Sequence, residues 1–344
     1  MLARAFFVMR AALIIGVGGE ALTAAERSFL ADARPAGIIL FARNCSSKAQ
    51  VRRLVEEAKS AVGAPLLVLI DQEGGRVRRL RPPEWRDLPA AAAYGRVFAR
   101  EPALALRRAW LVARLTAEDL REIGVNANCA PVLDVPQRQA HPIIGDRAYA
   151  DAPATVAALG RAVAEGLLAG GVLPIIKHMP GHGRARVDSH LELPVVETAR
   201  AELEASDFVP FKALSGMPAA MTAHVVYTAI DPTAPASTSP DVTRDVIRGA
   251  IGFHGLLMSD DIGMGALSGD FRSRAEAVVN AGSDIALHCS GNVIEAQLAA
   301  SGAGRLAGEA LERYLRAVAV QERTGPFDAA EAVVALGEML QAMA

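Results

Sequence analysis

Cysteine is scarce in this chain. Cys45, Cys129 and Cys289 are odd in number and far apart over 344 residues, which argues against a disulfide scaffold and points to free thiols in a reducing cytoplasm. An excess of either charge is also missing. The 36 Lys and Arg residues nearly balance 38 Asp and Glu, leaving a formal charge of −2, so no broad basic surface is offered to nucleic acid. No apolar run stays uncharged long enough to span a bilayer. The stretch "MLARAFFVMRAALIIGVGG" imitates a signal peptide, but Arg10 interrupts it and no A-x-A-like cleavage site follows. "AALIIGVG" reads as a first buried strand, with Met9 as the natural start and residues 1–8 as a dispensable extension. A Pro/Ser-rich linker is absent as well, so residues 1–344 read as a single domain.

What is present is a well-filled core, since 51% of residues are hydrophobic and 22% charged. Short apolar runs recur: "LIIGVG" (13–18), "GIILFA" (37–42), "LLVLID" (66–71), "VNANCAPVLDV" (125–135), "LPIIKHM" (173–179), "AAMTAHVV" (219–226), "GLLMSD" (255–260) and "DIALHC" (284–289). Amphipathic segments such as "SKAQVRRLVEEAKSAV" lie between several of them. Buried strands alternating with helices pair in parallel, and eight of them predict an α/β fold closed as a (β/α)₈ TIM-type barrel. A doubly wound open sheet is the alternative, but "IIGVGGEAL" lacks the full G-x-G-x-x-G spacing. The segments "RLAGEALERYLRAVAV" and "AAEAVVALGEMLQAMA" read as two C-terminal closing helices.

A barrel of this kind carries its chemistry just beyond the C-terminal strand ends. Asp71, Lys177, His178, His224 and Asp260 all fall there. Three of the chain's seven histidines sit in "KHMPGHGRARVDSH" (177–190). Gly181 and Gly183 flank His182 and suggest an adaptable loop. Asp188 and His190 are two apart, which in an extended segment points both side chains the same way. An aspartate so placed fixes the imidazole tautomer and makes the pair a proton carrier near neutral pH; the alternative is a solvated loop. Asp260 can serve as a carboxylate nucleophile with Asp261 pointing away to cap the next turn, or both acids can be caps. Asp71 and Arg79 can grip a polar ligand or form a salt bridge at a loop base, and Arg147 is open either way. Lys177 ends an apolar strand and needs a partner or a purpose. Zinc at His178, His182 and His190 is disfavoured: no H-x-H pair or H-E-x-x-H helix occurs, and Lys177 would repel a cation.

Taken together, "KHMPGHGRARVDSH", "GIILFARN", "IDQEGGRVRRL", "PVLDV", "IIGDRAY", "MTAHVVY", "GLLMSDDIGMGAL" and "AGSDIALHC" resemble, in order and over nearly the whole chain, the family 3 glycoside hydrolases in their bacterial β-N-acetylhexosaminidase branch. The resemblance implies a cytoplasmic (β/α)₈ enzyme, taken here as a monomer. It would remove β-linked N-acetylglucosamine from peptidoglycan fragments carrying 1,6-anhydro-N-acetylmuramic acid, in cell-wall recycling. It further implies a retaining mechanism with Asp260 as nucleophile and His190, oriented by Asp188, as acid/base. Asp71, Arg79, Arg147, Lys177 and His178 would bind the sugar, Met264 would line the site, and His182 would brace the loop. No metal or organic cofactor is implied, and the partner is a small muropeptide glycan rather than nucleic acid or membrane. Met179 stands where phenylalanine is commoner, and Gly263 where serine or asparagine is usual. A phosphorylase of the same family, a metal-dependent barrel hydrolase and a non-catalytic sugar-binding barrel are the alternatives.

Overall fold

Each of eight strands lies beside its sequence neighbours, and the last closes on the first to make an all-parallel barrel. The structure is a computed structural model that describes residues 10–341 apart from 139 and 323. The expectations about residues 1–8 and Met9 therefore lie outside the described residues. The strands are β1 (Ala11–Gly16), β2 (Pro35–Leu40), β3 (Leu67–Ile70), β4 (Ala127–Asn128), β5 (Leu173–Met179), β6 (Ala219–Thr222), β7 (Leu256–Asp261) and β8 (Ile285–His288). Closure is in register, with Leu13 opposite Ala286 and Ile15 opposite His288. Because helices cover the outside, the strands are buried on both faces along most of their length, and β1, β2, β3 and β5 are buried at every position.

The fourth and sixth strands fall furthest short of their apolar runs. In the fourth, Asn126 and Asn128 replace part of the ladder with their side chains: the Val68 and Gln72 N–H groups donate to the Asn126 and Asn128 Oδ1 atoms at 2.7 and 3.0 Å. Pro131, which has no N–H, then keeps the chain out of regular pairing. The sixth run stops at Thr222, and Val226–Tyr227 leaves the barrel to pair with Val195–Val196.

Local chemistry sets the outer helices. Thr23 and Glu26 form a capping box that starts helix Ala24–Ala33. Ser47 caps helix Lys48–Val62, which Gly63 ends at φ 67°; a cap of this sort contributes about 1 kcal/mol. Pro102 and Pro153 begin the helices Pro102–Glu122 and Pro153–Ala169, where a missing N–H costs nothing. The tail supplies helices Gly308–Val318 and Ala329–Gln341, and the latter packs along Pro102–Glu122. Among the described residues no helix is long and apolar enough to cross a membrane.

Candidate active site

A cavity of about 290 Å³ opens at the C-terminal mouth of the barrel. Asp71, Arg79, Arg147, Lys177, His178, His190, Asp260 and Met264 all line it; Asp188 does not, and stands behind His190 instead. Ile39, Phe41, Met221 and Leu287 contribute apolar wall.

The floor is a charge network held by three strand ends. Lys177 Nζ lies 2.8 Å from Asp71 Oδ1 and 2.6 Å from Glu73 Oε1. Arg79 meets the other Asp71 oxygen at 2.9 Å. Arg147 grips Glu73 with two bonds of 2.8 Å. Burial alone would raise the pKa of Asp71, but Lys177 and Arg79 outweigh it and hold the carboxyl below its usual range. Burial would likewise lower that of Lys177, yet Asp71 and Glu73 raise it. The charged forms are thus locked in, and removing one partner from such a buried set costs about 3–5 kcal/mol. Lys177 and His178 are consecutive but both reach the cavity, because the strand register is irregular between Ile176 and Met179.

Behind this floor stands a residue the sequence reading did not single out. Asp134 is fully buried; its Oδ2 lies 2.7 Å from His178 Nδ1 and its Oδ1 accepts the His182 N–H at 2.7 Å. Burial opposes its charge, but His178 and His182 bring its pKa down to about 2. His178 is thereby fixed with Nε2 toward the site, 3.5 Å from Arg147. Glu73 was missed as well. Both acids stood in quoted motifs, "IDQEGGRVRRL" and "PVLDV"; an acid late in an apolar run was the available signal for Asp134, whereas Glu73 lies two residues past Asp71, beyond the end of its run. His182 is buried, with burial pushing its pKa down to about 4, and its Nε2 lies 3.0 Å from Ser189 Oγ.

The two adjacent acids of β7 differ in environment. Burial raises the pKa of Asp260, but His178, His224, the Asp261 N–H and Lys177 together bring it below the usual value. That keeps the carboxylate charged, as a nucleophile requires. Asp261 has its pKa raised, chiefly by burial, and its Oδ1 accepts from the Gly263 N–H at 2.8 Å and the Cys289 N–H at 3.0 Å. Its carbonyl bonds His224 Nε2 at 3.0 Å.

Asp188 and His190 do meet, but not on an extended segment. Residues 188–192 form a turn in which the Leu191 and Glu192 N–H groups donate to the Asp188 carbonyl. The Asp188 Oδ1 takes both the His190 backbone N–H at 2.9 Å and the ring Nδ1 at 2.7 Å. The imidazole is exposed and lines the cavity, and among the described residues its Nε2 has no hydrogen-bond partner. The glycines also act differently from one another. Gly181 has φ 140°, a conformation that favours glycine, whereas Gly183 is needed because a Cβ there would collide with the Val135 carbonyl. Among the described residues, no group of three or more His, Cys, Asp or Glu side chains is arranged to hold a metal ion.

A family model described as the glycosyl hydrolase family 3 N-terminal domain matches residues 9–320. A β-hexosaminidase of Alkalilimnicola ehrlichii is 42% identical over 282 residues, covering 81% of this chain and 80% of that protein. Another from Stenotrophomonas maltophilia is 40% identical over 294 residues, covering 83% and 85%. Among solved structures, NagZ from Neisseria gonorrhoeae in complex with N-trifluoroacetyl-D-glucosamine superposes with TM-score 0.86 at 32% identity, covering 96% of this chain and 98% of that one. A family 3 β-N-acetylglucosaminidase from Paenibacillus gives TM-score 0.85 at 29% identity over 99% of this chain and 68% of its own.

Proposed function

The chain belongs to glycosyl hydrolase family 3 and is a β-hexosaminidase, and on that footing we propose that it is a retaining exo-β-N-acetylglucosaminidase acting through a covalent glycosyl-aspartate. The observation that carries the reading is one cavity lined by an ionised, buried carboxylate, Asp260, and by a histidine whose Nδ1 is held by Asp188, leaving Nε2 to exchange protons.

Asp260 attacks the anomeric carbon as the bond to the leaving oxygen breaks, and His190 Nε2 gives that oxygen its proton. Water then attacks the same carbon, His190 recovers a proton from it, and the ester to Asp260 is released. Two inversions return the β-anomer. The leaving group is neutralised by an imidazolium rather than by a carboxylic acid, so the carboxylate-separation rule does not apply. Asp71, Arg79, Arg147, Lys177 and His178 hold the sugar by charge-assisted hydrogen bonds, with Met264 against it. The sugar complex of the Neisseria relative supports N-acetylglucosamine as the glycone.

The substrate is a peptidoglycan fragment, N-acetylglucosamine linked to 1,6-anhydro-N-acetylmuramic acid peptides, cleaved during cell-wall recycling in the cytoplasm by one barrel domain with its closing helices. Purified enzyme should release N-acetylglucosamine from anhydro-muropeptide and from 4-nitrophenyl β-N-acetylglucosaminide. Proton NMR should find the β-anomer first, at a rate indifferent to added phosphate. Initial release of the α-anomer contradicts the mechanism, and a phosphate-dependent sugar phosphate assigns a phosphorylase.

A further inference from the structure

We propose that Gly265 is a positioning residue that latches the acid/base loop over Asp260 through the His190 backbone; this rests on the reading of His190 as proton donor. The loop is anchored at both ends. Upstream, Gln137 and His141 N–H groups donate to the Gly183 and Ala185 carbonyls at 3.0 and 2.8 Å. Downstream, Val195–Val196 pairs with Val226–Tyr227. Between these anchors, among the described residues, two hydrogen bonds tether the turn that carries His190. One joins Ser189 to His182 of the same loop. The other is the Gly265 N–H donating to the His190 carbonyl at 3.1 Å, and it reaches across the mouth from β7.

The β7 side of this latch is stiff. Asp261 binds the Gly263 and Cys289 N–H groups, and the Met264 N–H donates to the Asp261 carbonyl at 3.0 Å. The strand end that presents Asp260 therefore also sets the height of the loop above it. Glycine is needed at 265 for approach: its φ lies outside the left-handed region, but a Cβ would stand 2.8 Å from the Leu191 carbonyl oxygen and 2.9 Å from that of His190. Of the two sides, the loop gives way. The His190 and Leu191 side chains are exposed, Leu191 at 81%, so the turn that carries them has room to shift outward. A methyl group at 265 lifts the imidazole from the leaving oxygen and leaves the barrel and the nucleophile in place.

The test compares wild type, Gly265→Ala, His190→Ala and the double variant by kcat/KM, which reports the glycosylation step. One substrate is an alkyl β-N-acetylglucosaminide, whose leaving group needs a proton; the other is the 2,4-dinitrophenyl glycoside, whose leaving group does not. General acid catalysis contributes about 10²–10⁴-fold, so a displaced acid should lower Gly265→Ala by roughly tenfold or more on the alkyl substrate. On the dinitrophenyl substrate the fall should be no more than about twofold, with an unchanged melting temperature. Gly265→Val should extend the alkyl-specific loss, and Gly265→Ala should add nothing in the His190→Ala background. The latch is overturned if Gly265→Ala depresses both substrates equally, multiplies the His190→Ala defect, behaves as wild type, or fails to fold. If His190→Ala itself does not discriminate between the substrates, the acid/base reading falls and takes the latch with it.

Discussion

A buried carboxylate keeps its charge only where neighbours supply more than water did, and Asp134 is held this way by His178 and His182. Its pKa of about 2 lies below the ordinary 3.8. A carboxyl depressed in the folded state contributes stability that is complete above the ordinary value and is lost as pH falls through about 4 toward 2. Asp71 and Glu73 are depressed in the same direction and add to the same acid limb. Asp134→Asn should therefore melt at a lower temperature than wild type at pH 7 and show a shallower decline between pH 5 and about 2.5. Thermal melts across that range check this; parallel curves would mean that Asp134 carries no charge-dependent stability. This residue also marks a limit of what the sequence reveals. The acid in "PVLDV" is visible, but its partners lie 44 and 48 positions away, and spacing along the chain carries no trace of that contact. Glu73 was hidden for the same reason, its partner Arg147 being 74 positions distant.

At the scale of elements, legibility follows how much of the pairing is made by backbone. The β5 strand matches its apolar run, Leu173–Met179, end to end. The fourth strand does not, because asparagine side chains and a proline do the work that regular pairing does elsewhere. The Asp188–His190 contact was anticipated on an extended segment, whereas an aspartate that bonds its neighbour's N–H two residues on makes a turn. The partnership survived the error in backbone because the same oxygen serves both nitrogens. That turn is held at its tip by few bonds, and the histidine it carries lies on a loop rather than on a strand. His190→Ala should accordingly lose activity in proportion to the leaving group's need for a proton, by about 10²–10⁴-fold for poor leaving groups, and Asp188→Ala should show a milder version of the same pattern. A Brønsted plot of kcat/KM against leaving-group pKa measures it. Equal loss across the series would deny His190 the role of general acid.

On the scale of the whole molecule, barrel closure gathers the chemistry. Asp71 and Lys177, 106 positions apart, share an ion pair, and Arg43 reaches the Cys289 carbonyl across 246 positions at 2.5 Å. Eight apolar runs in one rhythm made that closure readable in advance, since eight parallel strands with helices outside have no exposed edge to leave. The polar strand ends were readable for the same reason: an ionisable residue finishing a buried strand faces the mouth. The residues alone left open whether Asp260 acts as nucleophile with Asp261 as cap or both acids are caps; in the structure the two differ by who donates to each carboxylate. The most direct measurement is to incubate the enzyme with a 5-fluoro N-acetylglucosaminyl fluoride, digest it and sequence the labelled peptide by mass spectrometry. The double-displacement account predicts one sugar per chain, esterified to Asp260 and absent from Asp260→Asn, which should keep its fold and lose nearly all turnover. A label on Asp261, or no covalent adduct while the sugar is turned over, would contradict it.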